Sequence, residues 1–273
     1  MVDVALVQLA LTGGGSGQVR PIESASEGVK EAAAAGAGFV VLPELWRTGP
    51  FELEATLGAA EYIDGPMVSA LSTLAAELGI WLHGGSFLER ARRGREGPAD
   101  STQIYNTSLL FDPAGDLVAS YRKRHLFGFD SGEAALIDAG DEVVVVDTPI
   151  GPTGLATCYD LRFPEHFRAL MEAGAEAIIV SSGWPEVRIS HWQVLCRARA
   201  IENQVNLLAC NAAGVSGAVP LGGRSNVLDP WGDVLAEAGP QPTTLVAHID
   251  PASPGRTRGE FPVLRDRRDV LGS

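Results

Sequence analysis

Cysteine is scarce in this sequence. The 273 residues contain three cysteines, Cys158, Cys196 and Cys210, and no two of them form a C-x-x-C pair. An odd and widely spaced set argues against a disulfide framework and against a zinc site. It indicates a reducing compartment, and we therefore expect a cytoplasmic protein. Cys196 falls in a predicted helix and Cys210 in an apolar strand, so both are expected to be inert core thiols.

Long apolar runs and excess positive charge are also missing. The longest apolar runs, such as 143–146 and 177–180, are far too short to cross a bilayer. The start, Met1-Val2-Asp3, does not resemble a secretory leader. The formal net charge of −13 argues against nucleic acid and anionic membranes as partners. The five histidines lack metal-ligand spacing and no phosphate-binding loop follows a strand, so we expect neither a metal nor a cofactor.

Lysine is rarer than any other charged residue, since Lys30 and Lys123 are the only two among 21 lysines and arginines. Lys30 lies on a predicted exposed helix face. Lys123 lies in the segment 121–127, Tyr-Arg-Lys-Arg-His-Leu-Phe, which a basic surface run between strands would also explain. The use of lysine in a chain that otherwise uses arginine favours a position that requires a compact ammonium group.

Strand and helix patterns alternate along the chain. The apolar patterns predict strands at 2–11, 39–42, 80–88, 104–111, 117–121, 143–146, 177–182, 205–210 and 244–249, and a hairpin at 226–234. Amphipathic patterns predict helices at 22–37, 66–78, 164–173 and 189–203. The charged segment 89–101 is predicted to be a solvated hairpin tip or loop. We expect one mixed α/β domain over residues 1–251, followed by a C-terminal tail without apolar periodicity, 252–273.

Three chemically distinctive residues fall at the ends of predicted strands. Cys158 lies where a strand ends and a helix is about to begin, the position at which open α/β sheets bind ligands. Free backbone N–H groups and the helix dipole can stabilise a thiolate there. Glu44 follows the strand 39–42 and Pro43, and Lys123 follows the strand 117–121. Each has a plainer explanation, because a lone cysteine is usually a core residue and a carboxylate at a strand end can turn towards water.

These three residues lie in segments that resemble the three motifs of the carbon–nitrogen hydrolase (nitrilase) superfamily, in that family's order and approximate spacing. The segments are Leu-Pro-Glu-Leu-Trp at 42–46, Tyr-Arg-Lys-Arg-His-Leu-Phe at 121–127 and Thr-Cys-Tyr-Asp-Leu-Arg-Phe-Pro-Glu at 157–165. The segment 197–203, Arg-Ala-Arg-Ala-Ile-Glu-Asn, also matches the family. The resemblance covers nearly the whole chain. It implies an α/β fold, a single-domain four-layer αββα sandwich, and a Glu-Lys-Cys triad that attacks carbon–nitrogen bonds.

The resemblance implies a role for each triad residue. The Cys158 thiolate would supply the strong nucleophile that an amide carbonyl requires, and a thioester would form. Glu44 would take the thiol proton, deliver a proton to the leaving amine and activate the water that cleaves the thioester. Lys123 and the backbone N–H of Tyr159 would stabilise the tetrahedral oxyanion.

A second glutamate that orients the lysine occurs in many members of this family. The segment 128–133, Gly-Phe-Asp-Ser-Gly-Glu, offers Glu133 as the best match and Asp130 as the competitor. The competition arises because the segment between His125 and Glu133 looks shorter than in several family members.

The motif around Cys158 looks most like the branch that holds ω-amidases and deaminated-glutathione amidases. This implies hydrolysis of a small linear amide that bears a carboxylate, with release of ammonia. Arg162 would bind that carboxylate bidentately, or would instead form a structural ion pair with Asp160 or Glu165. Trp184 and His191 would line the pocket, with aromatic core packing as the alternative.

Other functions remain open within the same resemblance. An N-carbamoyl hydrolase, a true nitrilase or an acyl transferase would use the same triad, and a binding protein of this fold would use none of it. Family members commonly associate through helices on one face of the sandwich. We therefore expect a homodimer or a higher homo-oligomer, with the helix after Cys158, the helix 189–203 and the tail at the interface.

Overall fold

The computed structural model describes residues 1–11, 19–92, 102–128 and 132–268. Strands account for much of this part of the chain. In chain order they are β1 (Val2–Gln8), β2 (Ala10–Leu11), β3 (Phe39–Val41), β4 (Trp81–Arg92), β5 (Thr102–Phe111), β6 (Leu117–Arg122), β7 (Val145–Thr148), β8 (Gly151–Thr157), β9 (Ala177–Ser182), β10 (Asn206–Asn211), β11 (Ala213–Ser216), β12 (Val219–Gly222), β13 (Asn226–Leu228), β14 (Val234–Glu237) and β15 (Thr243–Ile249).

Helices alternate with these strands. They are α1 (Glu23–Ala34), α2 (Leu53–Thr56), α3 (Pro66–Leu78), α4 (Glu133–Leu136), α5 (Pro164–Glu172), α6 (Ile189–Asn203) and α7 (Ser253–Glu260). Single 3₁₀ turns cover Leu57–Ala59, Cys158–Arg162 and Glu186–Arg188. None of the helices in the described segments is long and apolar enough to cross a membrane.

Two six-stranded sheets form the centre of the fold. The first has the order β15-β1-β3-β4-β5-β6, in which β1, β3 and β4 run parallel. The second has the order β14-β13-β10-β9-β8-β7, in which β8, β9 and β10 run parallel. A small third sheet joins β12, β11 and β2.

Alternation along the strands separates the two faces of each sheet. Val4 and Leu6 of β1 share a buried core with Ile179 of β9. This core fills the space between the two sheets. Ala5 and Val7 of β1 face the other way, into a core shared with α1 and α3. The outer face of the second sheet is covered by α5 and α6. The layers are therefore α, β, β and α, and the expected four-layer sandwich is confirmed.

The charged segment 89–101 was expected to be a solvated hairpin tip or loop, and this prediction is wrong for its first residues. Strand β4 continues through Arg92 and pairs with β5. Glu89 is only 5% exposed. Its carboxylate accepts bonds of 2.9 and 2.7 Å from the Arg122 guanidinium and of 2.7 Å from Thr107 Oγ1, and this pairing allows its burial. Residues 93–101 lie outside the described residues.

Two predicted strands are corrected as well. The run 143–146 was expected to be buried, but β7 starts at Val145, is half-buried and forms an edge of the second sheet. The buried strand before Cys158 is β8. The stretch 2–11 breaks at Leu9, because Ala10 and Leu11 leave the first sheet and pair with β11.

The tail shows no apolar periodicity in the sequence, and its described part contains helix α7. Arg258 Nη2 donates to Ala175 O at 3.0 Å, and Gln204 Nε2 donates to Phe261 O at 2.7 Å. These bonds attach the described part of the tail to the body of its own chain. Its place at a subunit interface stays a prediction.

Candidate active site

Glu44 lies just beyond β3, on the turn formed by Pro43 and Leu45. Its side chain is 1% exposed. Oε1 accepts bonds from Lys123 Nζ at 2.7 Å and from Asn106 Nδ2 at 2.9 Å, and Oε2 accepts one from the backbone N of Gly183 at 2.9 Å. The alternative of a carboxylate that turns towards water is therefore wrong.

Lys123 is the first residue after β6, and its side chain is also 1% exposed. Nζ donates to Glu44 Oε1 at 2.7 Å and to Glu133 Oε2 at 2.6 Å. Burial alone would lower the pKa of Lys123, but the charges of Glu133 and Glu44 outweigh it and raise this pKa well above its ordinary value. The residue is thus a permanent buried ammonium group, and the alternative of a basic surface run is wrong at this position.

Glu133 begins helix α4 and is the second carboxylate on the lysine. Its Oε2 accepts bonds from Lys123 Nζ at 2.6 Å and from Phe127 N at 2.8 Å, and its Oε1 accepts one from Asn106 Nδ2 at 2.8 Å. Burial raises the pKa of Glu133, while the charge of Lys123 opposes that rise. The competing candidate, Asp130, lies outside the described residues.

Asn106 is a site residue that the sequence patterns did not single out. It lies in β5, is fully buried, and one amide nitrogen donates to both Glu44 and Glu133. Its residue type could have indicated a role in the site, because asparagine is depleted from strand interiors and Asn106 lies inside a predicted apolar strand.

Cys158 begins the 3₁₀ turn that follows β8, and its backbone φ is 45°. Leu45, next to Glu44, has φ of 42°. Positive φ at non-glycine residues stores strain that the surrounding structure must hold. Burial, together with the charge of Glu44, raises the pKa of the Cys158 thiol far above its ordinary value, and Lys123 opposes this.

Asp160 connects the cysteine turn to the segment after Lys123. Its fully buried carboxylate accepts bonds from Thr157 N at 2.9 Å, Tyr121 Oη at 2.7 Å and His125 N at 3.0 Å. Burial opposes its charge, but these donors and the His125 ring hold the pKa of Asp160 below its ordinary value. The two predicted motifs are therefore joined through one carboxylate.

Arg162 does not form the ion pair with Asp160 or Glu165 that was the alternative to substrate binding, as judged within the described part of the chain. Its Cζ atom lies 4.7 Å from the centre of the Trp184 ring, and Nη1 lies 3.3 Å from His191 Nδ1. His191 is exposed at the start of α6 and contacts the arginine from outside the cavity.

A cavity of about 320 Å³ brings these groups together. Its lining contains all four predicted catalytic residues and three of the predicted binding residues, namely Glu44, Lys123, Glu133, Cys158, Tyr159, Arg162 and Trp184. The other walls are largely apolar, with a second arginine, and include Pro50, Phe51, Leu53, Phe127, Leu136, Pro185 and Arg188. Within the described segments, no group of three or more His, Cys, Asp or Glu side chains could hold a metal ion.

Comparison with known proteins identifies the family. Residues 3–258 match the family described as carbon-nitrogen hydrolase. The 2-oxoglutaramate amidase of Paenarthrobacter nicotinovorans is 43% identical over 236 residues, which cover 85% of this chain and 79% of the relative. The deaminated glutathione amidase of Mus musculus is 37% identical over 261 residues, which cover 92% and 80%.

Solved structures give the same answer for the fold. A mutant of the amidase from Nesterenkonia sp. AN1, which carries the product of Michael addition of acrylamide at its active-site cysteine, superposes with a TM-score of 0.76. The two chains share 27% identity, and the match covers 97% of this chain and 99% of that one. The chain belongs to the carbon–nitrogen hydrolase family and is an enzyme that acts on amides.

Proposed function

We propose that this enzyme hydrolyses a small linear amide with a carboxylate at its far end and releases ammonia through a thioester on Cys158. The observation that carries this proposal is the arrangement at Lys123 Nζ, which lies 2.7 Å from Glu44 Oε1 and 2.6 Å from Glu133 Oε2 in the cavity that also contains Cys158. The names of the two relatives support the substrate class, since 2-oxoglutaramate and deaminated glutathione are both amides that carry carboxylates.

The first half-reaction forms the thioester. As the sulfur attacks the amide carbon, the Cys158 thiol gives its proton to Glu44, because a thiol with a raised pKa does not ionise beforehand. The carbonyl oxygen becomes an oxyanion beside Lys123 Nζ and the backbone N–H of Tyr159. Glu44 then protonates the leaving nitrogen, the carbon–nitrogen bond breaks, and ammonia departs.

The second half-reaction releases the acid. Water attacks the thioester carbon while Glu44 takes its proton, and Lys123 stabilises the second oxyanion. The carbon–sulfur bond then breaks, and the proton on Glu44 returns to the sulfur of Cys158. Glu133 carries no proton in this cycle. Its role is to hold the ammonium group of Lys123 in place, together with Asn106.

The far end of the substrate lies near Arg162 in this proposal. The Trp184 ring supports the guanidinium group from one face, and His191 contacts one of its terminal nitrogens. The planar donor fork of arginine matches a carboxylate, so Arg162 selects amides with a charged distal end. Trp184 has a support role here, because its indole Nε1 already donates to Arg188 O at 2.8 Å.

Ammonia release from a substrate panel tests the proposed function. The panel contains 2-oxoglutaramate, deaminated glutathione, glutamine, asparagine, pentanamide, a nitrile and an N-carbamoyl amino acid, with Cys158→Ala as the control. We expect Cys158-dependent release that is fastest from an amide with a distal carboxylate. A nitrile or a carbamoyl compound as the best substrate would overturn the proposed substrate class.

We also propose that the chain forms at least a homodimer through α6 and the C-terminal segment. Val194 and Ile201 on α6 are 67% and 50% exposed, and the stacked rings of Trp231 and Phe261 are each about half-exposed. Exposed apolar side chains of this size favour an interface. Light scattering should give a mass of at least two chains, and Val194→Asp should lower it. A monomer at micromolar concentration contradicts this proposal.

The proposed setting is the cytoplasm, with a small amide as the partner. Cys158, Cys196 and Cys210 are all unpaired and buried, which supports a reducing compartment. The net charge of −13 supports a small-molecule partner over nucleic acid or an anionic membrane. Cell fractionation tests this location. Recovery of the protein in the fraction of an oxidising compartment would contradict the cytoplasmic assignment.

A further inference from the structure

A second arginine reaches the cavity from a different part of the chain. Arg188 ends the 3₁₀ turn Glu186–Arg188, between β9 and α6, and lines the same cavity as Arg162. The sequence motifs do not include it. Its backbone O accepts a bond from Trp184 Nε1 at 2.8 Å, so the turn that carries Arg188 is attached to the ring that supports Arg162.

The side chain of Arg188 lies on an aromatic surface. Its Cζ atom is 5.7 Å from the centre of the Phe127 ring. That ring meets Phe51 and Tyr159 edge-on at 5.9 and 5.3 Å, and the backbone N of Phe127 donates to Glu133 Oε2 at 2.8 Å. Because its support is fixed, the guanidinium group loses less conformational freedom when it binds a ligand.

Neither guanidinium group has a carboxylate partner within 4.0 Å among the described residues, although many other arginines of this chain do, such as Arg47 and Arg122. Glu54 also lines the cavity, but it is exposed. Among the described residues, it forms no ion pair with Arg162 or Arg188. Two positive charges that line one cavity, neither of them paired with a described carboxylate, repel each other and favour a bound anion. Burial, with a contribution from the charge of Arg188, lowers the pKa of Arg162, which agrees with this repulsion.

We infer that Arg188 is a specificity-determining residue that binds the distal carboxylate of the substrate jointly with Arg162. The carboxylate lies between the two guanidinium groups, with one group on Trp184 and the other on Phe127. This inference rests on the proposed function, because it adds a second arginine to the same substrate site. The preference of the enzyme for negatively charged substrates then depends on two segments, the turn Cys158–Arg162 and the turn Glu186–Arg188.

Steady-state kinetics with a charged and an uncharged amide tests this role. The substrates are 2-oxoglutaramate and pentanamide, which have chains of the same length, and the enzymes are wild type, Arg188→Gln, Arg188→Lys and Lys30→Gln. In Arg188→Gln, the ratio of kcat/KM for the charged over the uncharged amide should fall roughly 10- to 100-fold, mainly through KM. Arg188→Lys should recover part of the ratio, because it restores the charge without the planar fork.

Lys30→Gln is the matched control, since it removes one positive charge from the exposed face of α1. We expect its ratio to stay within twofold of wild type. An equal loss with both substrates in Arg188→Gln would indicate a structural role and overturn the inference. An unchanged ratio in Arg188→Gln would overturn it as well.

Binding of glutarate separates this inference from the proposed function. Calorimetry on the wild type and on Arg188→Gln measures the dissociation constant of this dicarboxylate without any turnover. We expect binding to weaken roughly 10-fold or more in the variant. Failure of the wild type to bind glutarate, or equal binding by both proteins, overturns the two-arginine site. Absence of ammonia release together with Arg188-dependent binding would reject only the proposed reaction.

Discussion

Asn106 Nδ2 donates a hydrogen bond of 2.9 Å to Glu44 Oε1 and, from the same nitrogen, one of 2.8 Å to Glu133 Oε1. The two carboxylates that bind Lys123 are therefore held by one neutral amide. All of these side chains are buried, so water does not replace a lost donor without rearrangement.

Replacement of this amide should reduce both catalysis and stability. Asn106→Ala leaves each carboxylate with one donor fewer, and we expect kcat to fall about 10- to 100-fold and the free energy of unfolding to fall by about 3 kcal/mol. The control is Asn206→Ala, which removes a buried asparagine that binds Asp250 O in the C-terminal region. It should lower stability but keep kcat within twofold. Wild-type kcat in Asn106→Ala would contradict the positioning role.

Lys123→Arg should inactivate the enzyme although it keeps the charge. Nζ lies in a buried space only 2.7 and 2.6 Å from two carboxylate oxygens, and the longer planar guanidinium group does not fit the same point. We expect kcat for ammonia release to fall about 100- to 1,000-fold, the loss typical of an oxyanion donor. Lys30→Arg, on the exposed face of α1, serves as the control and should have wild-type activity. Near wild-type turnover of Lys123→Arg would mean that the oxyanion role is wrong.

Glu44→Gln should lower the pKa of the Cys158 thiol. Burial and then the charge of Glu44 raise this pKa, so removal of the charge makes the thiolate easier to form. Thiolate absorbance near 240 nm, measured against the same variant with Cys158→Ala, should have its midpoint at lower pH than in the wild type. The variant should nevertheless fail to release ammonia, because it lacks the proton carrier. A midpoint at equal or higher pH would contradict the electrostatic account.

Stability should depend on pH through a histidine outside the active site. His83 is fully buried in β4, its Nδ1 accepts a bond from Gly85 N at 3.3 Å, and burial lowers its pKa from 6.5 to about 4. Above pH 6.5 the imidazole is neutral in both the folded and the unfolded chain, so His83 does not reduce the free energy of unfolding there. Between pH 6.5 and 4 the unfolded chain binds the proton first, and stability falls by about 3 kcal/mol in total.

Denaturant unfolding at pH 7.5 and pH 4.5 measures this effect. The wild type should lose more stability over this interval than His83→Gln, whose side chain does not titrate, by somewhat under 3 kcal/mol. Comparison of the two losses removes the contribution of other titrating groups that the proteins share. Equal losses in the two proteins would show that His83 does not titrate as its burial predicts.

Local patterns were sufficient for many of the strands and helices, whereas the resemblance of three motifs to one family pointed to the candidate site residues. Alternation on β1 and apolar periodicity on α3 follow from burial of one face, and a proline begins both α3 and α5. Glu44, Lys123 and Cys158 each follow the end of a strand, and the structure brings them to one cavity. Each residue alone has a plainer explanation, and only the three motifs together carry the resemblance.

The remaining features depend on contacts between distant parts of the chain. Glu89 is buried because Arg122, 33 positions away, supplies two donors, and no local pattern contains that partner. Asn106 acquires its role from Glu44, 62 positions away. Arg188 lines the cavity because its turn is fixed to Trp184 and its side chain lies on Phe127. Such relationships become visible only when the layers of the fold are assembled.

The central claim is that the substrate is joined to the sulfur of Cys158 during turnover. Rapid quenching of the enzyme with its best amide, followed by intact-mass and peptide mass spectrometry, measures this most directly. We predict an added mass equal to the substrate minus ammonia, located on the peptide that contains Cys158, and no adduct in Cys158→Ala. Ammonia release without such an adduct, or near wild-type turnover by Cys158→Ala, would contradict the account.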